Sequence, residues 1–254
     1  MPNTQRYFIE LAYNGTNYHG WQTQPNAITV QELLDKALST LLRVPTETTG
    51  AGRTDTGVHA RQLFAHLDVT EDDPDRVEDE VLIKARSLNA LLPYDIAVKR
   101  IIPVHADAHA RFDATQRSYE YHVHFEKDPF LHNLSWLVRD RPNVDLMNQA
   151  AQIIMEYTDF SSFSKSNTQV HTNNCKITRS EWVMVGEQLI FYISADRFLR
   201  NMVRAILGTL MMVGKGEIKP EQVRKIIESK NRSNAGTSVP ACGLYLTEVK
   251  YPYI

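Results

Sequence analysis

The stretch best equipped for chemistry is Gly50-Ala51-Gly52-Arg53-Thr54-Asp55-Thr56-Gly57-Val58-His59-Ala60. Its glycines frame an arginine, an aspartate and two threonines. Glycine permits left-handed backbone and close approach of a ligand. A carboxylate in such a loop can be held by backbone N–H and hydroxyl donors. Arg53 can pair with that carboxylate or with a phosphate. Asp55 is therefore either a positioned nucleophile or the acceptor of an ordinary Asx-type turn. Composition alone leaves both readings open.

Other chemistries fit less well. Asp55-Thr56-Gly57 is the tripeptide of aspartic proteases, which need two carboxylates sharing one proton. The chain holds one such tripeptide, so a homodimer would be required, and the adjacent Arg53 would keep both carboxylates ionised. Gly208 to Lys215 ends in Gly-Lys, but its glycines are spaced one residue too far apart and no Ser or Thr follows. That excludes a phosphate-binding loop and nucleotide hydrolysis. His122 with His124, or His105 with His109, could bind a metal, but neither pair has a third ligand at suitable spacing. No metal site and no cofactor are expected. Cys175 and Cys242 are the only cysteines, which excludes a disulfide scaffold and fits a reducing compartment.

The elements that must position this chemistry alternate between strand and helix patterns. Tyr7 to Ala12 reads as a strand meeting an Asn14-Gly15 turn. Thr29 and Glu32 form a capping box for a helix with Val30, Leu33, Leu34, Ala37, Leu38 and Leu41 on one face. Leu63 to Val69 reads as a half-buried strand. Asp75 and Glu78 are a second capping pair, before Val81, Leu82, Ala85 and Leu88. Ile96 to Val104 is a strand that Pro103 either ends or places at an edge. Ser118 to Phe125 alternates, with Tyr119, Tyr121, Val123 and Phe125 opposite Ser118, Glu120, His122 and His124. A helix follows through Leu146, Ala150, Ile153, Ile154 and Tyr157. Trp182 to Val185 and Leu189 to Ala195 form a hairpin through Gly186-Glu187. An apolar helix spans Met202 to Met211, Pro220 opens another, and Leu244 to Val249 is a closing strand. Hairpins mixed with helices give an α+β fold with mostly antiparallel sheets.

At ~150 residues per domain, 254 residues make one to two domains. We expect an N-terminal domain over 1–104, carrying the Asp55 loop, and a C-terminal domain over 105–254 that completes the site. With 43% hydrophobic and 23% charged residues the chain is globular, neither disordered nor fibrous. Its net charge of −2 carries no global signature of a nucleic-acid binder. However, seven acids lie between Glu71 and Glu80, and outside that stretch 27 basic residues face 23 acidic ones. Fields are local, so a basic face for a polyanion remains available. No apolar run approaches the ~20 residues of a membrane span, and Met1 to Glu10 lacks an apolar core of signal-peptide length. The expectation is a cytoplasmic protein.

Six segments in order carry a resemblance. They are Tyr18-His19-Gly20-Trp21-Gln22, Gly52 to Ala60, Ala110-Arg111-Phe112-Asp113-Ala114 with Arg117 to Tyr121, Asp159-Phe160-Ser161-Ser162-Phe163, Phe198 to Arg204 with Gly208, and Pro240 to Leu246. Together they resemble the tRNA pseudouridine synthase A family along nearly the whole chain. The resemblance implies a pseudouridine synthase fold, in which two similar α/β halves, with mostly antiparallel sheets flanked by helices, border a central cleft. It implies isomerisation of uridine to pseudouridine at positions 38 to 40 of the tRNA anticodon stem-loop, without metal or organic cofactor, by a homodimer that shares its tRNA. Asp55 matches the catalytic aspartate, which attacks either ribose carbon 1 or base carbon 6. Arg53 matches the arginine that helps extrude the nucleotide, a step costing about a few kcal/mol of stacking. Tyr119 matches the active-site tyrosine, which packs on the flipped uracil and offers its hydroxyl for proton transfer at carbon 5. Arg204 matches the basic partner of the catalytic carboxylate, and Leu244 an apolar residue that packs on the base. Without the resemblance, Tyr119 and Leu244 read as core positions and Arg204 as a snorkelling side chain. His59 reads as a structural partner or an RNA contact. Arg111, Arg117, Lys165, Arg197 and Arg200 are the phosphate-contact candidates. The alternative is a tRNA-binding module that has lost catalysis.

Overall fold

The computed structural model describes residues 3–71, 83–165 and 172–254. They form two compact units, one of Met1–Ala114 with Leu246–Ile254 and one of Thr115–Tyr245. The capping pair Asp75 and Glu78, with Val81, Leu82 and nearly all of the acidic stretch, lies outside the described residues.

The first unit contains β1 (Asn3–Tyr13), α1 (Val30–Leu42), β2 (Thr49–Gly50), β3 (His59–Glu71), α2 (Ala85–Leu91) and β4 (Ile96–Val104). Helix α1 starts where the capping box requires, with Thr29 Oγ1 accepting the Glu32 N–H at 3.4 Å. Strand order begins β4-β1-β3, with antiparallel pairing and β4 at the edge. That edge place tolerates Pro103, which has no N–H to give. Tyr7, Ile9 and Leu11 face Leu67, Ala65 and Leu63 across the β1–β3 ladder, and all six are buried.

The second face of β3 departs from expectation. Phe64 and His66 are buried as well, so the strand is not half-buried. Tyr251 stands edge-on to Phe8 and Phe64 at 5.1 and 5.2 Å, and His109 packs on His66 at 4.7 Å. The segment after β4 is tied down by polar bonds. The Ala110 N–H donates to His66 Nδ1, Arg6 Nη1 to the Ala108 carbonyl, and the hydroxyls of Tyr251 and Tyr253 to the Ala110 carbonyl and Asp113. These bonds tie residues 105–114 and the C-terminal residues into the first unit. Alternation along β3 could not show a cover supplied from so far along the chain. Burial, with nearby His109 and Arg6, holds His66 down at about 4. The imidazole therefore stays neutral and keeps Nδ1 an acceptor.

The second unit contains β5 (Gln116–His124), β6 (Trp136–Leu137), α3 (Val144–Met155), β7 (Ile177–Val185), β8 (Gln188–Ala195), α4 (Met202–Gly214), α5 (Gln222–Glu228) and the start of β9 (Leu244–Lys250). The order β5-β8-β7 is antiparallel. The short β6, too brief for a sequence signal, runs parallel to β5. The expected hairpin joins β7 to β8 through Gly186, at φ +59. Helix α4 is buried on nearly every side, and among its residues only Arg204 and Met212 are not buried.

Each unit closes its outer strand with an asparagine. On α2, Asn89 donates to the Val98 carbonyl at 2.8 Å and accepts the Val98 N–H at 2.7 Å. On α3, Asn148 treats Trp182 of β7 the same way, at 3.0 and 2.7 Å. A carboxamide matches a peptide group donor for acceptor, so both edge residues have their bonds satisfied by a helix.

Asp35 of α1 places one oxygen on the N–H and hydroxyl of Thr48, at 3.0 and 2.7 Å, just before β2. Burial outweighs these bonds and raises its pKa from 3.8 to about 6. A carboxyl raised in the folded state favours folding while protonated, and stability falls as pH climbs from the ordinary carboxylate value through about 6. Asp35→Asn retains the accepting oxygen without the charge. It should raise stability at pH 8 by about 2 kcal/mol and change little at pH 4.5, as measured by urea denaturation at both values.

Candidate active site

The Asp55 loop is held by backbone, and the segment that holds it is Gly15 to Trp21. The Trp21 N–H donates to the Thr54 carbonyl at 3.3 Å, the Gly57 N–H to the Tyr18 carbonyl at 3.2 Å, and the Val58 N–H to the Asp55 carbonyl at 3.1 Å. Gly57 takes φ +77, which glycine adopts at no steric cost. The fit is close enough to require glycines opposite. A Cβ on Gly15 would lie 2.0 Å from the Val58 carbonyl oxygen, and one on Gly20 would lie 2.3 Å from that of Thr54. Tyr13 completes the cradle, with its hydroxyl 2.8 Å from Thr54 Oγ1 and its ring stacked on Trp21 at 6.4 Å. Tyr18 is pinned in turn by a hydrogen bond from its hydroxyl to Asp95. Within this frame Arg53 is exposed and Asp55 half-buried.

His59 resolves to the structural reading. It is 1% exposed, and Nδ1 accepts the Gly15 N–H at 3.0 Å. A ring nitrogen that accepts a backbone N–H carries no proton, so the tautomer is fixed with its hydrogen on Nε2.

Tyr119, Arg204 and Leu244 belong to the second unit, apart from the unit of Arg53 and Asp55. Helix α4 and residues 236–239 run against each other at backbone distance. A Cβ on Gly208 would fall 1.9 Å from the Thr237 carbonyl oxygen, and Thr209 Oγ1 accepts the Gly236 N–H at 2.9 Å. Arg204 then bonds Val239 twice, through its Nε to the Val239 carbonyl at 2.7 Å and through its carbonyl to the Val239 N–H at 3.2 Å. One residue on, the Pro240 carbonyl accepts the Tyr121 hydroxyl at 2.8 Å. A Cβ on Gly243 would press on the Tyr121 ring and the His122 carbonyl. Burial pushes the Tyr121 phenol above its ordinary value, with nearby Arg204 opposing that push. Tyr121, fully buried as expected of a core residue, thus anchors the turn that leads into Leu244. Tyr119, two residues earlier on β5, is half-buried, and Leu244 is 5% exposed.

Two other segments have structural jobs. Phe160 and Phe163 are fully buried, while Asp159 accepts the Ser161 N–H and hydroxyl and bonds Lys230 at 2.8 Å. The Lys230 cation and the Ser161 donors hold the Asp159 carboxyl below its usual range. Asp113 accepts the His109 N–H at 2.7 Å, which with the Tyr253 hydroxyl lowers its pKa. His122 bonds Glu120 at 2.9 Å, and His124 is buried. Of the phosphate-contact candidates, Arg111, Lys165 and Arg200 are exposed and Arg117 and Arg197 half-buried. Arg117 Nη1 donates to the Asp196 carbonyl at 2.9 Å.

The pattern-based reading missed what Gly15, Gly20 and Trp21 do for the Asp55 loop, and what Gly236 does for α4. Glycine in a polar segment was the available signal, but its partner lies far along the chain.

These features define a class, an α+β protein with a backbone-cradled Arg-x-Asp loop and an arginine on a buried helix. Residues 153–252, which include Arg204 and Leu244, match the family described as tRNA pseudouridine synthase. A protein named tRNA pseudouridine synthase A from Parabacteroides distasonis is 51% identical over 98% of this chain and 96% of its own length. The protein of that name from Bacteroides thetaiotaomicron is 54% identical, over 98% of this chain and 91% of its own. That from Exiguobacterium sibiricum is 35% identical, over 98% and 97%. The chain belongs to the tRNA pseudouridine synthase A family. Among the described residues, no helix is long and apolar enough to cross a membrane.

Proposed function

We propose that this protein isomerises uridine to pseudouridine at positions 38 to 40 of the tRNA anticodon stem-loop. The observation that carries the reading is the cradled loop, which fixes the backbone at Asp55 while leaving Arg53 exposed. In the reaction the glycosidic bond to base nitrogen 1 breaks and a bond from ribose carbon 1 to base carbon 5 forms. The hydrogen on carbon 5 departs, and nitrogen 1 gains one. Asp55 is the nucleophile, with ribose carbon 1 and base carbon 6 as its alternative targets, and Arg204 is its charge partner. Tyr119 packs on the uracil and serves proton transfer at carbon 5, and Leu244 packs on the base. Arg53 fills the place vacated by the extruded nucleotide. The reading includes the two similar halves with a central cleft, the homodimer and the cytoplasmic address. Agreement of the site residues with the family's motifs supports catalysis over a binding-only module.

The test is tritium release from carbon-5-labelled uridine in an unmodified tRNA transcript, without added metal or cofactor. Wild type should release tritium and Asp55→Ala should not. Release by neither, with tRNA still bound, would favour the binding module. Arg53→Ala should lower release at least about tenfold with an unchanged melting midpoint, because an exposed side chain contributes little to the fold. Wild-type turnover in that variant would remove Arg53 from extrusion.

A further inference from the structure

The active-site tyrosine of the proposed reaction has an aromatic neighbour with no assigned role. The Phe198 and Tyr119 rings meet edge to face, with centroids 5.2 Å apart and planes at 90°. Aromatic quadrupoles favour this arrangement. Both side chains are half-buried.

Phe198 lies between β8 and α4, in a loop fixed at both ends. The Asp196 N–H donates to the Lys176 carbonyl at 3.2 Å, and Asp196 Oδ1 accepts the N–H groups of Lys176 and Arg197, both at 2.7 Å. Leu199 is buried, and Asn201, at φ +63, donates its Nδ2 to Ser238 Oγ at 2.6 Å. The bond from Arg117 Nη1 to the Asp196 carbonyl staples this loop to the strand that carries Tyr119. The loop cannot shift freely, so the Phe198 ring is a fixed wall for the tyrosine. The same segment then enters α4, which carries Arg204.

We propose that Phe198 is a positioning residue for Tyr119. The inference rests on the isomerase reading above, and it assigns Phe198 no contact with the reacting atoms. A tyrosine ring has several side-chain torsion wells open to it. A fixed ring set edge to face against it excludes some of them and presents the hydroxyl in one direction. Removing that wall leaves the tyrosine in place but spreads its orientations, which costs rate in the chemical step and not affinity for tRNA.

The test compares full-length wild type with Phe198→Ala, Phe198→Leu, Phe198→Tyr and Phe198→Trp. It uses single-turnover tritium release, filter binding of the same tRNA, and thermal melting as a control on folding. Phe198→Ala should release tritium about 10- to 100-fold more slowly, with tRNA affinity within about twofold of wild type. Phe198→Leu restores volume without a ring, so it should lose rate as well; it takes the place of the alanine variant if that one melts below the assay temperature. Phe198→Tyr and Phe198→Trp keep an aromatic edge and should remain within about threefold of wild type. A wild-type rate in Phe198→Ala or Phe198→Leu would overturn the proposal. So would an affinity loss as large as the rate loss, which would make Phe198 an RNA contact. A silent wild type would instead overturn the isomerase reading itself, and the role of Phe198 with it.

Discussion

Asp55→Ala should lower tritium release by about 10⁴-fold or more, the scale on which loss of a nucleophile is felt. Affinity for tRNA should stay within a few-fold. The structure separates the two effects. Three of the bonds that shape the loop run between backbone atoms, from the Trp21 N–H to the Thr54 carbonyl, from the Gly57 N–H to the Tyr18 carbonyl, and from the Val58 N–H to the Asp55 carbonyl. None of these needs the Asp55 side chain, so the backbone frame of the loop should survive the substitution, which thermal melting of the variant checks. Binding to a polyanion comes mostly from phosphate contacts, and single-phosphate losses appear as a change in salt slope of ~1 each. Asp55→Ala should leave that slope unchanged. Asp55→Asn, which keeps the shape and lacks the charge, should be as inactive as the alanine variant. Turnover close to wild type in either one would place the chemistry on another residue.

Gly20→Ala should damage the same loop from behind. Gly20 sits at φ +88, in the region that a side chain disfavours by about 1–2 kcal/mol. The added methyl would also lie 2.3 Å from the Thr54 carbonyl oxygen and 3.2 Å from the Asp55 carbonyl carbon. Both neighbours are backbone, so relief means moving the Thr54–Asp55 peptide. Strain and overpacking together should cost about 3 kcal/mol in urea denaturation. A displacement near ~1 Å at a reacting group is enough to cost about 10²-fold in rate. Gly52→Ala is the control, because a Cβ there meets nothing within 4 Å, and its stability should change by less than about 0.5 kcal/mol. If Gly20→Ala matched wild type in stability and rate, the cradle would not be what positions Asp55.

Much of this was legible in the chain because it depends on neighbours in sequence. The capping signal at Thr29 set the start of α1 and Gly186-Glu187 turned the β7–β8 hairpin, each through contacts a few residues apart, whereas Pro103 left a strand end and an edge strand both open until the pairing put β4 at the edge. The Arg53–Asp55 loop stood out for the same reason, since its residue types and spacing are local facts. What periodicity could not supply was cover from a distance. The second face of β3 is buried by Tyr251 and by the segment around His109, and the last residues of the chain join the first unit for that reason. Nor could it tell Tyr121, which anchors the Pro240 turn, from Tyr119, which meets Phe198; both alternate onto one face of β5. By itself the sequence determined the local elements, the residue types of the site and, through its ordered motifs, the family. Tertiary structure alone decided which glycine faces which carbonyl and that Arg204 bonds Val239. Those facts rest on close approach between segments far apart in the chain, and no local pattern records such an approach.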